Sequence, residues 1–293
     1  MDRLLKVVGF NDTVRCFICE TTDTVNEAIN RNDTYPSASD CLGKVLTVSL
    51  MMGANLKGSE ELTVKVNGNG PIGLIVCDAT SNGVCRGYCQ NPHVNFVNNK
   101  GGLNTEFTLG IDGVIEVVKD LKLKDFFTSQ VPLQTANLAY DFSYYFTVSE
   151  QTPSQLALGS LIDVDNKAKI FGGILIQLLP NTPEEVICKL ESKLGILQSF
   201  SKLLLSHSLE EIVAMIFEDD YRILNEMPLM FKCKCSKESF RKGLKTLGKD
   251  TINEILINDN KAECVCHYCK EVYNFDSEDL KQIISEMENG YVS

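Results

Sequence analysis

The 293-residue chain contains no tryptophan and no apolar run long enough to cross a bilayer. Its longest apolar stretch, Cys41 to Leu56, is broken by Lys44 and by polar residues and falls short of a span. Excess positive charge is also missing. Lysine plus arginine total 28 against 39 aspartate plus glutamate, a net charge of −11. A chain this acidic is a poor general binder of nucleic acid phosphates and repels anionic membranes, so neither partner is expected. The N-terminus, Met1-Asp2-Arg3, has no h-region and no cleavage site. Nothing there suggests export, and a reducing, cytoplasmic setting is expected. Catalytic signatures are absent as well. There is no G-x-S-x-G elbow, P-loop or H-E-x-x-H, and His93 and His207 have no acidic or nucleophilic partner in sequence reach. The protein is not expected to be an enzyme.

Apolar residues make up 44% of the chain and charged residues 23%, which excludes disorder of the whole. The length exceeds one compact domain. The fold class predicted is an α/β (mixed α+β) core domain with a helical linker and a small C-terminal four-cysteine zinc module. Residues 1–180 form the core. Strand-like alternation appears at Val14 to Glu20, Leu62 to Val66, Leu74 to Cys77, Val114 to Val118, Tyr144 to Val148 and Ile170 to Leu178. Turn pairs such as Asn67-Gly68 and Asp112-Gly113 punctuate these runs. Helices are predicted from Val25 to Arg31, and after Tyr35-Pro36 through Lys44 to about Leu56. The linker is 181–229, and the stretch Asn181 to Asn225 reads as pure helix. Thr182-Pro183-Glu184-Glu185 and Ser208-Leu209-Glu210-Glu211 look like capped helix starts. Leu194, Leu197, Phe200, Leu203, Leu204 and Leu205 form an apolar stripe that must pack on something, so the linker is expected to lie against the core.

Residues 230–293 are distinct. They hold five of the 12 cysteines, and from Phe231 onward 10 basic residues nearly balance 11 acidic ones. Cys233-Lys234-Cys235 and Cys266-His267-Tyr268-Cys269 are the sharpest signal in the chain. Two close pairs around a small folded insert suit a tetrahedral thiolate site for one zinc ion. The 30 residues between the pairs read as two short helices, Ser236 to Leu247 ended by Gly248, and a second opened by Asp250. Val272 to Phe275 then alternates like a strand, and Asp276 caps a last helix to about Met287. So small a module would be marginal without metal. Zinc keeps its sulfurs deprotonated, which is their oxidisable form. Lys232, Lys234, Lys237 and Lys270 lie nearby in sequence. The spacing permits a redox switch, since bridging cysteines would expel the zinc that holds the module together.

This C-x-C, gap, C-x-x-C pattern resembles that of the redox-regulated 33 kDa chaperonin family of heat-shock proteins. Other stretches also match that family: Asp33-Thr34-Tyr35-Pro36-Ser37-Ala38-Ser39, Met52-Gly53-Ala54-Asn55-Leu56-Lys57-Gly58, Arg86-Gly87-Tyr88 with Asn91-Pro92, Ser149-Glu150-Gln151-Thr152-Pro153-Ser154, and Gly172-Gly173 through Gln177-Leu178-Leu179-Pro180. The resemblance covers essentially the whole chain. It implies an ATP-independent holdase, inactive when reduced and zinc-bound. Cys233, Cys235, Cys266 and Cys269 would be the metal ligands, and oxidation would convert them to disulfides Cys233–Cys235 and Cys266–Cys269. Zinc release would then disorder the module and linker. The oxidised form would dimerise and hold unfolding client proteins, and client capture is expected on the linker and an adjoining core surface.

Several other motifs are set aside. Cys264 departs from the family pattern. It would share a face with Cys266 in an extended segment, and the reading favoured is a packed thiol rather than a competing ligand or disulfide partner. His267 is read as a surface or near-site residue. Cys16-Phe17-Ile18-Cys19 has redox spacing but lies in a predicted strand, where positions three apart face opposite sides. Cys41, Cys77, Cys85, Cys89 and Cys188 read as core or surface residues. Gly68-Asn69-Gly70-Pro71-Ile72-Gly73 matches a dinucleotide loop, but a strand follows it, so a hairpin turn is predicted. The rival readings are a nucleic-acid-binding zinc ribbon, disfavoured by the missing basic patch, and a thiol oxidoreductase.

Overall fold

The computed structural model describes residues 1–289. In chain order the elements are β1 (Arg3–Gly9), β2 (Val14–Glu20), α1 (Thr22–Asn32), α2 (Pro36–Gly53), β3 (Glu61–Asn67), β4 (Ile75–Thr80), β5 (Val84–Cys89), α3 (Thr105–Leu109), β6 (Val114–Asp120), β7 (Phe127–Pro132), α4 (Leu138–Val148), β8 (Ser154–Ile162) and β9 (Ala168–Leu178). Then follow α5 (Glu184–Leu194), a 3-10 turn (Gly195–Ser199), α6 (Phe200–Ser206), α7 (Leu209–Phe217), β10 (Tyr221–Pro228) and β11 (Met230–Phe231). The last elements are α8 (Lys237–Lys245), α9 (Lys249–Asn258), β12 (Ala262–Val265), β13 (Val272–Phe275) and α10 (Ser277–Asn289). The chain divides into two compact units, Met1–Lys232 and Cys233–Ser293. The helical segment after residue 180 belongs to the first unit. The fold is therefore mixed α and β, as the alternation and helix signals predict.

The first unit holds two sheets. One runs β10-β1-β2-β9-β8, and the other β11-β5-β4-β3-β6-β7. Helix α2 lies between them and is covered on every side, with 16 of its 18 residues buried. Strand alternation divides the five-stranded sheet into two faces. Leu4, Phe17 and Cys19 join the core around α2. Leu5, Val7, Cys16 and Ile18 point the other way. That second face is covered by Leu190, Leu197, Phe200, Leu204, Leu209, Ile212 and Phe217, which come from α5, the 3-10 turn, α6 and α7. Of the stripe read from the sequence, Leu197, Phe200 and Leu204 are buried on the core and Leu194 and Leu203 pack half-buried against it, whereas Leu205 faces outward and is exposed. Cys16 and Cys19 lie in opposite cores, which removes any dithiol chemistry between them.

Three local readings need correction. Tyr144 to Val148 is helical rather than a strand, being the end of α4. Asn137 Oδ1 accepts from the amides of Ala139 (3.1 Å) and Tyr140 (3.3 Å), and Leu138, Phe142, Tyr145 and Phe146 recur at helical spacing toward the core. The stretch Asn181 to Asn225 is not all helix. From Tyr221 it becomes β10, which pairs antiparallel with the outer edge of β1. Thr182 does not cap α5. Pro183 occupies the cap position, and the Thr182 hydroxyl donates to the Thr13 and Leu179 carbonyls at 2.9 and 2.7 Å. Ser208 does form the expected capping box with Glu211.

The Gly68 to Gly73 loop is a turn between β3 and β4, as predicted, and no helix starts there. The Gly70 amide donates to the Leu109 carbonyl at 2.9 Å. A Cβ at Gly70 would come within 2.3 Å of the Leu109 carbonyl carbon, so the glycine serves close backbone packing and not a phosphate. His93 gains a partner that sequence spacing hid. Its Nε2 lies 2.9 Å from Asp33 Oδ2, with both side chains exposed. Among the described residues, no helix is long and apolar enough to cross a membrane.

The second unit is built on the β12–β13 hairpin, with helices α8, α9 and α10 around it. The expected strand at Val272 to Phe275 and the two helices between the cysteine pairs are present. Asp276 caps the last helix, its Oδ1 accepting from the amides of Glu278 and Asp279. Among the described residues, Leu244, Ile252, Phe275, Leu280 and Ile283 form the small apolar centre of this unit, together with half-buried neighbours. Residues 290–293 of the expected module lie outside the described residues.

Candidate metal centre

Two short pieces of chain present the cysteines. Cys233 and Cys235 sit in the extended segment between β11 and α8. Ser236 ends that segment by capping α8: its Oγ accepts from the Ser239 amide, and the Ser239 Oγ accepts from the Ser236 amide. Cys266 and Cys269 occupy the turn of the β12–β13 hairpin. The Cys266 amide donates to the Glu271 carbonyl and the Lys270 amide to the Cys266 carbonyl, each at 2.9 Å. Lys270 takes a left-handed conformation, φ 58°, which tightens the turn and aims both sulfurs to one side.

These pieces bring the four predicted residues together. The sulfurs of Cys233, Cys235, Cys266 and Cys269 all lie within 4.8 Å of one another. Cys233 Sγ is 3.7 Å from Cys266 Sγ, and Cys235 Sγ is 3.3 Å from Cys269 Sγ. Cys266 and Cys269 are buried and the C-x-C pair is half-buried. Four sulfurs about 2.3 Å from a tetrahedral cation stand about 3.8 Å apart. The spacing and the soft donor set therefore fit a thiophilic divalent metal. Burial pushes the thiols of Cys235 and Cys269 above their ordinary range. Four crowded thiols do not ionise together in such a place unless a cation displaces their protons.

Most of the buried cysteines outside the cluster are chemically quiet. Burial pushes Cys19 up to about 12 and raises Cys16, Cys41, Cys77 and Cys85 as well, so these thiols stay protonated and poorly nucleophilic. Cys188 is exposed on α5. Cys264 does not belong to the cluster, because β12 ends at Val265 and Cys266 has already entered the turn. The Cys264 side chain instead packs half-buried against the small apolar centre, and burial raises its pKa. His267 is exposed in the turn. Lys237, near the site in sequence, pairs with Asp279 at 2.7 Å and lies over the Phe275 ring.

Sequence reasoning missed Tyr273. Its hydroxyl lies 3.3 Å from Cys235 Sγ. Nothing in the sequence marks it, because an aromatic residue in a short strand reads as packing.

Comparison with known proteins agrees with this architecture. The Hsp33 protein family profile matches residues 2–276. The 33 kDa chaperonin of Bacillus velezensis is 44% identical over 288 residues, covering 98% of this chain and 99% of the relative. That of Bacillus subtilis is 44% identical over 283 residues, covering 96% of this chain and 97% of its own length. The crystal structure of the 33 kDa chaperonin from Thermotoga maritima superposes with a TM-score of 0.91 at 32% identity, covering 98% of this chain and 99% of that one. With a family match across nearly its full length, relatives of the same extent and the same fold, this chain belongs to the Hsp33 family, the 33 kDa chaperonins.

Proposed function

We propose that this protein is a redox-switched, ATP-independent holdase, silent when reduced and zinc-bound. The observation that carries this reading is the cluster of four cysteine sulfurs within 4.8 Å of one another, in a unit whose own apolar centre is small. Cys233, Cys235, Cys266 and Cys269 would hold one zinc ion. When bound, zinc supplies the charge that keeps four thiolates together and much of the unit's folding free energy, on the order of 10 kcal/mol. Oxidation to Cys233–Cys235 and Cys266–Cys269 consumes the thiolates, releases zinc and removes that energy.

The client surface we infer is the outer face of the five-stranded sheet together with the helices that cover it. Leu5, Val7, Cys16, Ile18, Ile174 and Ile176 lie on one side of this interface, and Phe200, Leu204, Ile212 and Phe217 on the other. Separation of the layers exposes both, and a large contiguous apolar patch is what an unfolding chain binds. Functionally this gives three parts: core 1–180, linker 181–229, whose helices α5 to α7 are the mobile cover, and sensor 230–293. Dimerisation of the oxidised form would protect part of the opened surface. A reduced resting state needs a reducing compartment, so we place the cycle in the cytoplasm.

The test is a titration of the purified, reduced chain with hydrogen peroxide, following zinc and accessible thiols together. One zinc per chain should be present at the start. It should leave in step with the loss of four thiols and return after reduction with added zinc. Zinc that stays bound while thiols disappear would contradict the switch and leave a purely structural metal.

A further inference from the structure

The Tyr273 hydroxyl stands 3.3 Å from Cys235 Sγ, and packing fixes it there. Its ring lies against Phe240, centroids 5.0 Å apart and 32° between planes, within the apolar centre of the second unit. Strand β13 also holds it, with Tyr273 opposite Cys264 in the hairpin register. A phenol donates a hydrogen bond well, and a thiolate accepts one. Cys235 is also half-buried, in contrast to the buried Cys266 and Cys269. We propose that Tyr273 is a positioning residue that sets the oxidation threshold of the switch, its O–H occupying a lone pair of the Cys235 sulfur and slowing attack on peroxide.

The inference rests on the redox-switch reading above. In the first step a sulfur lone pair attacks one oxygen of hydrogen peroxide. The O–O bond breaks, hydroxide leaves, and the sulfur, oxidised by two electrons, becomes a sulfenic acid. A neighbouring thiolate then attacks that sulfur, the S–S bond forms and hydroxide departs. The electron pair used in the first step is the one the Tyr273 O–H engages. Withdrawing density from it lowers the nucleophilicity of sulfur and raises the oxidant dose needed for activation. The contact exists only in the folded unit, so once one bridge forms and the unit loosens, the brake is lost and the second oxidation proceeds faster.

The experiment uses the full chain, zinc-loaded, as wild type, Tyr273→Phe and Phe240→Leu. The first variant removes the hydroxyl and keeps the ring; the second loosens the ring stack and keeps the hydroxyl. Zinc release after mixing with excess hydrogen peroxide is followed with a zinc-sensitive dye. Tyr273→Phe should release zinc roughly three- to tenfold faster than wild type, the range expected for one hydrogen bond. With cobalt(II) in place of zinc, its sulfur-to-metal charge-transfer band should move to lower energy, because the sulfur is more electron-rich. Phe240→Leu should leave that band in place. Wild-type rates in Tyr273→Phe, or equal acceleration in Phe240→Leu with no band shift in either, would overturn the proposal. Failure of wild type to release zinc to peroxide would instead overturn the switch reading, and this inference with it.

Discussion

Replacing Cys269 with serine is expected to unfold the second unit within an otherwise folded chain. The hydroxyl is a poor ligand for a soft cation, and one lost thiolate leaves three around a tetrahedral site. Little else holds the unit together. Five buried side chains make its centre: Leu244, Ile252, Phe275, Leu280 and Ile283. Ion pairs from Arg241 and Lys245 to Glu286, and from Lys249 to Glu288, tie α8 and α9 to α10. Pairs on a solvated surface contribute little each. Removing a structural zinc site costs on the order of 10 kcal/mol in small modules, more than this centre can offset. The first unit has two large cores and should be unaffected. Hydrogen exchange on the reduced, zinc-supplied full-length variant checks this. Residues 233–289 should lose protection while α2 and β9 keep theirs, and wild-type protection throughout would show that metal does not hold the unit.

The second large effect is expected at Ile212. This side chain is fully buried at the centre of α7, against the outer face of the five-stranded sheet. Substitution by asparagine removes apolar contact and buries an amide with no partner prepared for it. Losses of about 2–5 kcal/mol are typical for deleting such a side chain, and an unsatisfied amide adds about 1–3 kcal/mol. The bidentate pair of Arg3 with Glu210, at 2.6 and 2.8 Å, anchors the start of α7 to β1 but is partly exposed and cannot make up the loss. Helices α5 to α7 should therefore detach more often, uncovering Ile18, Ile174 and Ile176 while α2 and its core stay intact. Ile212→Asn should then suppress aggregation of an unfolding client while still reduced and zinc-loaded, at several times the wild-type level. A variant that is folded, opened by hydrogen exchange and yet silent would place the client surface elsewhere.

Much of this architecture is legible in the sequence, for identifiable reasons. Strand β2 follows from the alternation of Val14 to Glu20 and agrees to the residue. Helix α2 follows from Pro36 at its first position and an apolar run too long for a strand. The cysteine cluster is legible because two spaced pairs leave few other structures open. What failed was information held outside the local window. Tyr144, Tyr145 and Phe146 have strand propensity, and only their packing with Leu138 and Phe142 makes them helical. Strand β10 exists because β1, more than 200 residues earlier, offers an open edge. Tyr273 becomes chemically meaningful only when the hairpin carries it to Cys235.

One chain should be silent when reduced and zinc-bound and become a holdase when oxidised. Light scattering of a thermally unfolding client tests it directly, with the protein added once reduced and zinc-loaded and once after peroxide with zinc removed. The oxidised form alone should suppress aggregation, and reduction with zinc should reverse this. Equal suppression by both forms would contradict the switch, leaving a chaperone whose metal site is structural.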